Sequence, residues 1–382
     1  MRRFYTILST VAATILVAAS CFGNKDSVES SLDTLFSGLF PAGEPGAQVV
    51  VVRDGKIVYD KGFGIADIET GAPITDTTMF NICSISKQFS SMALFILEEE
   101  GKISLDDPVS KYFPHFKAPF YSRIALKNLI SHTSGLPDSR PRSQYQWEKY
   151  RAQYPSIYDN VADYKLFCEE EESCRYLENL DSLAFEPGTA YEYQNPTFQL
   201  VYMIVEQVTG ENFDTWMRDH IFLPAGMPGT VYFEPDRQIP NMAHGYMRDA
   251  DGSWKEADYG ETNFFGTKAD GGIYTTALEF INWDKSLYGD VLVSSAMREA
   301  AHTGKIKTDI PDTEYGYGWF IENKPSKPRK IYHTGDNGGF YTFEGRFPDK
   351  DLFYLIFANQ PHWDRDKTVE SVDEIFRRFG WI

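Results

Sequence analysis

The chain has 382 residues, 42% apolar and 24% charged, with 23 Tyr and 28 Phe, which excludes disordered, collagenous and coiled-coil classes and supports a large buried core. Its formal net charge of −18 repels phosphate backbones and anionic lipid, so nucleic acid is not an expected partner. The 7 His are scattered singly, with no HExxH, HxH or CxxC pattern, and neither a metal nor another cofactor is expected.

In chain order, Arg2 and Arg3 precede an apolar run from about Ile7 to Ala19. It is shorter than the ~20 residues of a spanning helix and suits an export signal. Ala18-Ala19-Ser20-Cys21 then resembles the lipobox of bacterial lipoproteins, with Ala18 where Leu is usual. The expectation is an exported protein, periplasmic or anchored to the membrane through a lipid on Cys21, with plain cleavage as the alternative. Residues 1–21 are assigned to this signal, 22–44 to a tether and N-terminal helix, and 45–382 to the main domain.

Ser27 to Phe40 reads as a short helix ended by Pro41 and the Gly43-Glu44-Pro45-Gly46 turn. Gln48 to Val52 and Lys56 to Tyr59, joined by Arg53-Asp54-Gly55, read as a hairpin. Cys83, in an apolar stretch, reads as core rather than as a rival nucleophile. From Ser84 to Glu100 the spacing predicts a helix apolar around nearly its whole circumference, stopped by Gly101 and therefore buried. Residues about 102–290 read as an inserted, mainly helical and loop-rich region, with Pro196 to Val208 and Thr276 to Leu287 its clearest helices. Cys168 and Cys174 would stand ~9 Å apart along an unbroken helix, beyond the ~7 Å limit for a disulfide, so a bridge requires a broken helix. Strand patterns return at Tyr315 to Glu322, Lys330 to Thr334, Phe340 to Phe347 and Leu352 to Ala358, followed by a helix from about Thr368 to Phe379. The two ends thus supply one antiparallel sheet flanked by helices, an α+β fold with a cleft where the helical region is inserted.

Three short motifs carry chemistry. Ser84-Ile85-Ser86-Lys87 opens the buried helix, where free backbone N–H groups and the positive dipole end can stabilise an oxyanion. Three positions along a helix bring Lys87 back to the face of Ser84, and no other Ser in the chain has Lys at +3. The competing reading is a capping Ser84 with an outward Lys87, which the apolar remainder of the helix disfavours. In Glu186-Pro187-Gly188-Thr189 to Tyr193-Gln194-Asn195-Pro196, an extended segment would turn Tyr193 and Asn195 to one cleft, although Asn195 also suits capping of the helix begun by Pro196. Tyr158-Asp159-Asn160 has the same spacing but lacks the Pro-Gly turn. His333-Thr334-Gly335 ends a strand, and Gly335 would let an extended substrate backbone approach. His302-Thr303-Gly304 repeats the letters after a helix-forming run and reads as a helix stop.

The joint order of Ser-x-x-Lys, Tyr-x-Asn and His-Thr-Gly resembles the serine β-lactamase-like superfamily of penicillin-binding DD-peptidases, class C β-lactamases, D-amino-acid peptidases and related esterases. The resemblance extends to Asn128 to Leu136, Asp270 to Thr276, Tyr315 to Phe320 and Arg346 to Asp351, and covers roughly residues 45–380. It implies a β-lactamase/transpeptidase-like fold and acyl transfer by Ser84, with Tyr193 and Lys87 removing its proton. A free phenol has a pKa of ~10, so a base role at pH 7 needs ~3 units of depression, roughly 4 kcal/mol. One nearby cation supplies about that much at an effective dielectric of ~20. A neutral Lys87 as the base fits equally, and the two titrate as one unit.

The resemblance further implies an oxyanion site from the N–H groups of Ser84 and Asp336 beside Gly335, with Asn195 bonded to Lys87 and the substrate amide. Thr334 would border the substrate, and Phe264 and Phe265 are candidates for the pocket wall, with core packing as the alternative. His132 is read as a loop-packing residue. His333 stands where many β-lactamases have Lys and is mostly neutral at pH 7, which argues against dedicated β-lactam hydrolysis. The resulting expectation is a serine hydrolase acting on a small-molecule ester or a peptide. The alternative is a penicillin-binding or sensing domain of the same fold with little turnover.

Overall fold

The computed structural model describes residues 26–137, 148, 151–152, 177–234, 237–257 and 268–382. Helix α1 (Val28–Leu39) opens on a capping box between Ser27 and Ser30 and closes before Pro41. Strands β1 (Ala47–Arg53) and β2 (Lys56–Phe63) form the expected hairpin, turned by Asp54 and Gly55, both at positive φ (49° and 69°). Next come β3 (Phe80–Asn81), α2 (Ser86–Glu99), α3 (Pro196–Thr209), β4 (Val231–Tyr232), β5 (Ile273–Thr275), α4 (Ala277–Ser286) and α5 (Ser295–Ala301). The C-terminal part holds β6 (Ile306–Lys307), β7 (Thr313–Tyr315), β8 (Phe320–Glu322), β9 (Lys330–Asn337), β10 (Phe340–Phe347), β11 (Leu352–Ala358) and α6 (Arg365–Arg378).

Eight strands form one antiparallel sheet in the order β6-β7-β8-β9-β10-β11-β1-β2. The two chain ends meet within it, one strand in from the β2 edge, where β11 pairs with β1 in the register Val50↔Leu355. The reason is legible in the side chains. Val49 and Val51 of β1 with Leu352, Tyr354 and Ile356 of β11 pack in one cluster with Leu32 and Phe36 of α1 and Val372 and Phe376 of α6. Val50 and Val52 with Phe353, Leu355 and Phe357 pack in the other, with Phe89, Phe95 of α2 and Phe280 of α4. Strands buried on both faces read as unbroken apolar runs, and each such side chain contributes roughly 1.5–3 kcal/mol of burial. At the margin, β2 carries Lys56, Asp60 and Lys61 outward, charges that discourage further pairing.

Three expectations change in detail, and one small sheet is new. The segment Tyr315 to Glu322 is two strands, because Gly316 and Gly318 make a tight turn: the Gly316 N–H donates to Trp319 O at 2.8 Å, and Gly318 sits at φ 92°. A Cβ at Gly316 would stand 2.3 Å from Ala301 O, so this turn must also touch α5. Strand β9 runs past Thr334 to Asn337, since Gly338 and Gly339 (φ 53° and 81°) provide a two-residue hairpin turn onto β10. The small sheet β3-β5-β4 has strands of two or three residues, too short for an alternation to show in sequence. Finally, the helix before the second His-Thr-Gly stops at His302, whose N–H caps Arg298, and Gly304 is no helix stop. A Cβ on Gly304 would meet the Glu314 side chain at 2.3 Å, so close packing explains that glycine. Cys21, Cys168, Cys174, Phe264, Phe265 and the Tyr158 decoy lie outside the described residues.

Candidate active site

Every residue from Thr78 to Leu97 is buried except Ser84. Ser84 lies in a 3-10 turn (Cys83–Ile85) that feeds α2, so the helix proper begins two residues later than its sequence suggests. The turn is forced by Cys83, which adopts φ 53° and donates its N–H to Asn81 Oδ1 at 2.7 Å. Its thiol is buried facing the carbonyl oxygens of Asn81 and Asn337 at 3.6 and 3.9 Å, which fits a packing role.

One helical turn on, Lys87 is fully buried and reaches back to donate to Ser84 Oγ at 3.0 Å. Its second acceptor is the main-chain carbonyl of Asp270 at 2.8 Å. That segment is itself held, with Ser90 Oγ on Ala269 O at 2.6 Å and the Asp270 carboxylate accepting from Gln199 Nε2 on α3. The Lys87 nitrogen also stands 5.0 Å from the Tyr193 ring centre and 5.4 Å from that of Phe198. A hydroxyl, an amine and a phenol from two distant stretches of chain therefore share one spot.

Tyr193 precedes α3 and is half-buried; Asn195 is buried at the helix start. The segment is not extended through Asn195, which adopts helical angles (φ −83°, ψ −42°). Its side chain makes no capping bond to the helix, so capping does not account for this Asn. The Glu186-Pro187-Gly188 turn is pinned by Gly188 N–H on Thr133 O at 2.8 Å.

Strand β9 forms the opposite wall. Its pairing with β8 ends at Phe320↔Tyr332, and no described strand pairs with that edge from His333 onward. A Cβ at Gly335 would stand 2.4 Å from Ile82 O and 2.8 Å from Cys83 Cβ. This glycine is thus required by the close approach of the chain's own Cys83–Ile85 turn. Thr342 Oγ1 on β10 ties the same carbonyl of Ile82 at 3.1 Å. Thr334 is half-exposed and Asp336 exposed along this edge.

His333 is fully buried with both ring nitrogens occupied: Nδ1 lies 2.7 Å from Thr334 O and Nε2 3.0 Å from the Tyr315 hydroxyl. An Nδ1–H donor and an Nε2 acceptor from Tyr315 satisfy both contacts with a neutral ring. Burial, and then the charge of Lys87, pull its pKa down to about 3. His333 is therefore a neutral group braced in the wall, its one ring proton committed to Thr334 O. The sequence placed Asp270 and Tyr315 at the starts of two segments of the resemblance without giving either a role; here Asp270 acts through a backbone carbonyl and Tyr315 through His333.

An antiparallel sheet with a Ser-x-x-Lys turn packed under its β9 edge is the arrangement of serine β-lactamase-like proteins. The Beta-lactamase family model matches residues 33–374, and the chain belongs to that family. It is 29% identical over 343 residues to penicillin-binding protein 4* of Bacillus subtilis strain 168, covering 87% of this chain and 72% of that one. The octameric penicillin-binding protein homologue of Pyrococcus abyssi superposes with a TM-score of 0.77 at 25% identity, covering 92% of this chain and 77% of that one. The fold is shared also with D-amino acid amidase of Ochrobactrum anthropi SV3, with a TM-score of 0.74 at 20% identity over 92% of this chain and 99% of that one.

Proposed function

We propose that the chain is a serine hydrolase that forms an acyl-enzyme at Ser84 on a peptide or ester substrate. The observation that carries this reading is the buried Lys87 nitrogen 3.0 Å from the one accessible hydroxyl in an otherwise buried stretch. Burying an amine is costly unless it is bonded, and here one of its partners is a reactive hydroxyl. Ser84 Oγ attacks the carbonyl carbon, and its proton passes to the Lys87–Tyr193 pair, which returns it to the departing alcohol or amine. Water then reverses the sequence and frees the acid. The N–H groups of Ser84 and Asp336 would receive the developing oxyanion, consistent with Gly335 letting β9 close on the nucleophile turn.

The neutral, internally bonded His333 supports substrates that need no cation beneath a terminal carboxylate. Capping a substrate's carboxylate as a methyl ester should then change kcat/KM by less than about tenfold, since a charged hydrogen bond contributes ~1.5–3 kcal/mol where one is made. Nitrophenyl esters, D-amino-acid amides and a fluorescent penicillin, each with the wild type and Ser84→Ala, test the proposal. Turnover or labelling lost in Ser84→Ala is expected. Labelling without release would move the reading to a penicillin-binding role, and equal behaviour of both proteins would overturn it.

A further inference from the structure

Tyr193 is held from behind by a turn that the proposed mechanism leaves unused. His132 sits in it at φ 56°, fully buried, with its ring centre 4.2 Å from that of Tyr193 and 4.7 Å from that of Tyr315. Its carbonyl accepts the Glu192 N–H at 3.1 Å, and its Nδ1 accepts the Gln194 N–H, also at 3.1 Å. The same residue therefore grips the chain immediately before and immediately after Tyr193 while its ring walls the phenol. Thr133 and Ser134 extend the grip through Gly188 N–H and Gln194 Oε1.

With Nδ1 accepting, a neutral His132 carries its proton on Nε2, and Nε2 is buried with no hydrogen-bond partner among the described residues. An unmatched buried donor is a penalty that a side chain serving packing alone would avoid. Burial and the neighbouring charge of Lys87 hold this imidazole well below its ordinary range, so the acceptor lone pair on Nδ1 persists.

We propose that His132 is a positioning residue that fixes the phenol of Tyr193 against Lys87 and Ser84 through its Nδ1 acceptor and its ring. This rests on the acyl-transfer reading. The local backbone selects the test, because Asn tolerates positive φ and presents an acceptor close to the imidazole Nδ1, whereas Leu of similar size presents none. His132→Leu should lower kcat for ester hydrolysis about 100-fold, the effect of misplacing a catalytic group by ~1 Å, with KM changed less than about threefold. His132→Asn should recover at least about tenfold of that loss.

Equal kcat in the two variants, or a Leu variant within about threefold of wild type, would overturn the proposal. Nitrogen NMR of the wild type judges it independently of any variant's folding: the Nε2–H tautomer is expected, and an Nδ1–H tautomer would overturn it. If wild type and Ser84→Ala prove equally inert, the acyl-transfer reading fails, while the NMR result still decides how His132 holds the Tyr193 segment.

Discussion

Adding one methyl group at Gly335 probes the contact on which the site depends. An alanine Cβ would stand 2.2 Å from Thr342 Oγ1, 2.4 Å from Ile82 O and 2.8 Å from Cys83 Cβ. Carbon and carbonyl oxygen settle no closer than about 3.3 Å, so the nucleophile turn must withdraw from β9 by about 1 Å. Rotating Thr342 away offers little relief, because its hydroxyl is bonded to the same Ile82 carbonyl at 3.1 Å. Overpacking of this kind costs about 1–3 kcal/mol of stability. On the proposed acyl-transfer reading the functional cost is of similar size, since a ~1 Å separation of Ser84 from the Asp336 N–H would lower the acylation rate about 100-fold. Stopped-flow acylation with a nitrophenyl ester gives the rate, and thermal melting of the same sample gives the stability. A Gly335→Ala protein with acylation within about twofold of wild type would show that β9 and the nucleophile turn are not held in mutual register as described.

Replacing Lys87 with Met should lower acylation by about 10²–10⁴-fold while the protein remains folded, because a buried amine exchanged for an apolar chain of similar length need not destabilise; melting and burst kinetics together check this. Glu344, fully buried and bonded to Gln88 on α2, has its carboxyl pushed up to about 8 by burial. Its folded pKa lies above the unfolded value, so its contribution to stability is complete below about pH 4.5 and is lost as pH rises through about 8. Glu344→Gln should accordingly gain on wild type in melting temperature between pH 5 and about 8.5, and parallel curves would refute the assignment. Gly38, in α1 with nothing within 4 Å of its absent Cβ, should respond oppositely to Gly335: Gly38→Ala is expected to stabilise by roughly 0.5–1 kcal/mol in chemical denaturation, with activity unchanged.

The sequence alone determined the sheet and the buried helix that follows Ser84. The apolar runs of β1 and β11 and the all-round apolar face of α2 report burial on both sides, and burial is a property that side-chain chemistry records locally. It also singled out Ser84 and Lys87, because an isolated amine inside an apolar helix is conspicuous, and Tyr193 through the Tyr-x-Asn motif behind its Pro-Gly turn. What only the tertiary structure decided were contacts made by backbone atoms or across long stretches of chain. Asp270 serves Lys87 through a carbonyl that every residue possesses, and Gly335 is small because Ile82 and Cys83, some 250 positions earlier, press against it. His333 looks like a titratable group until Tyr315 and Thr334 occupy its nitrogens. His132 looks like filler until its ring is found against Tyr193. A residue's type states which bonds it can make; the partner that arrives in space states which one it does.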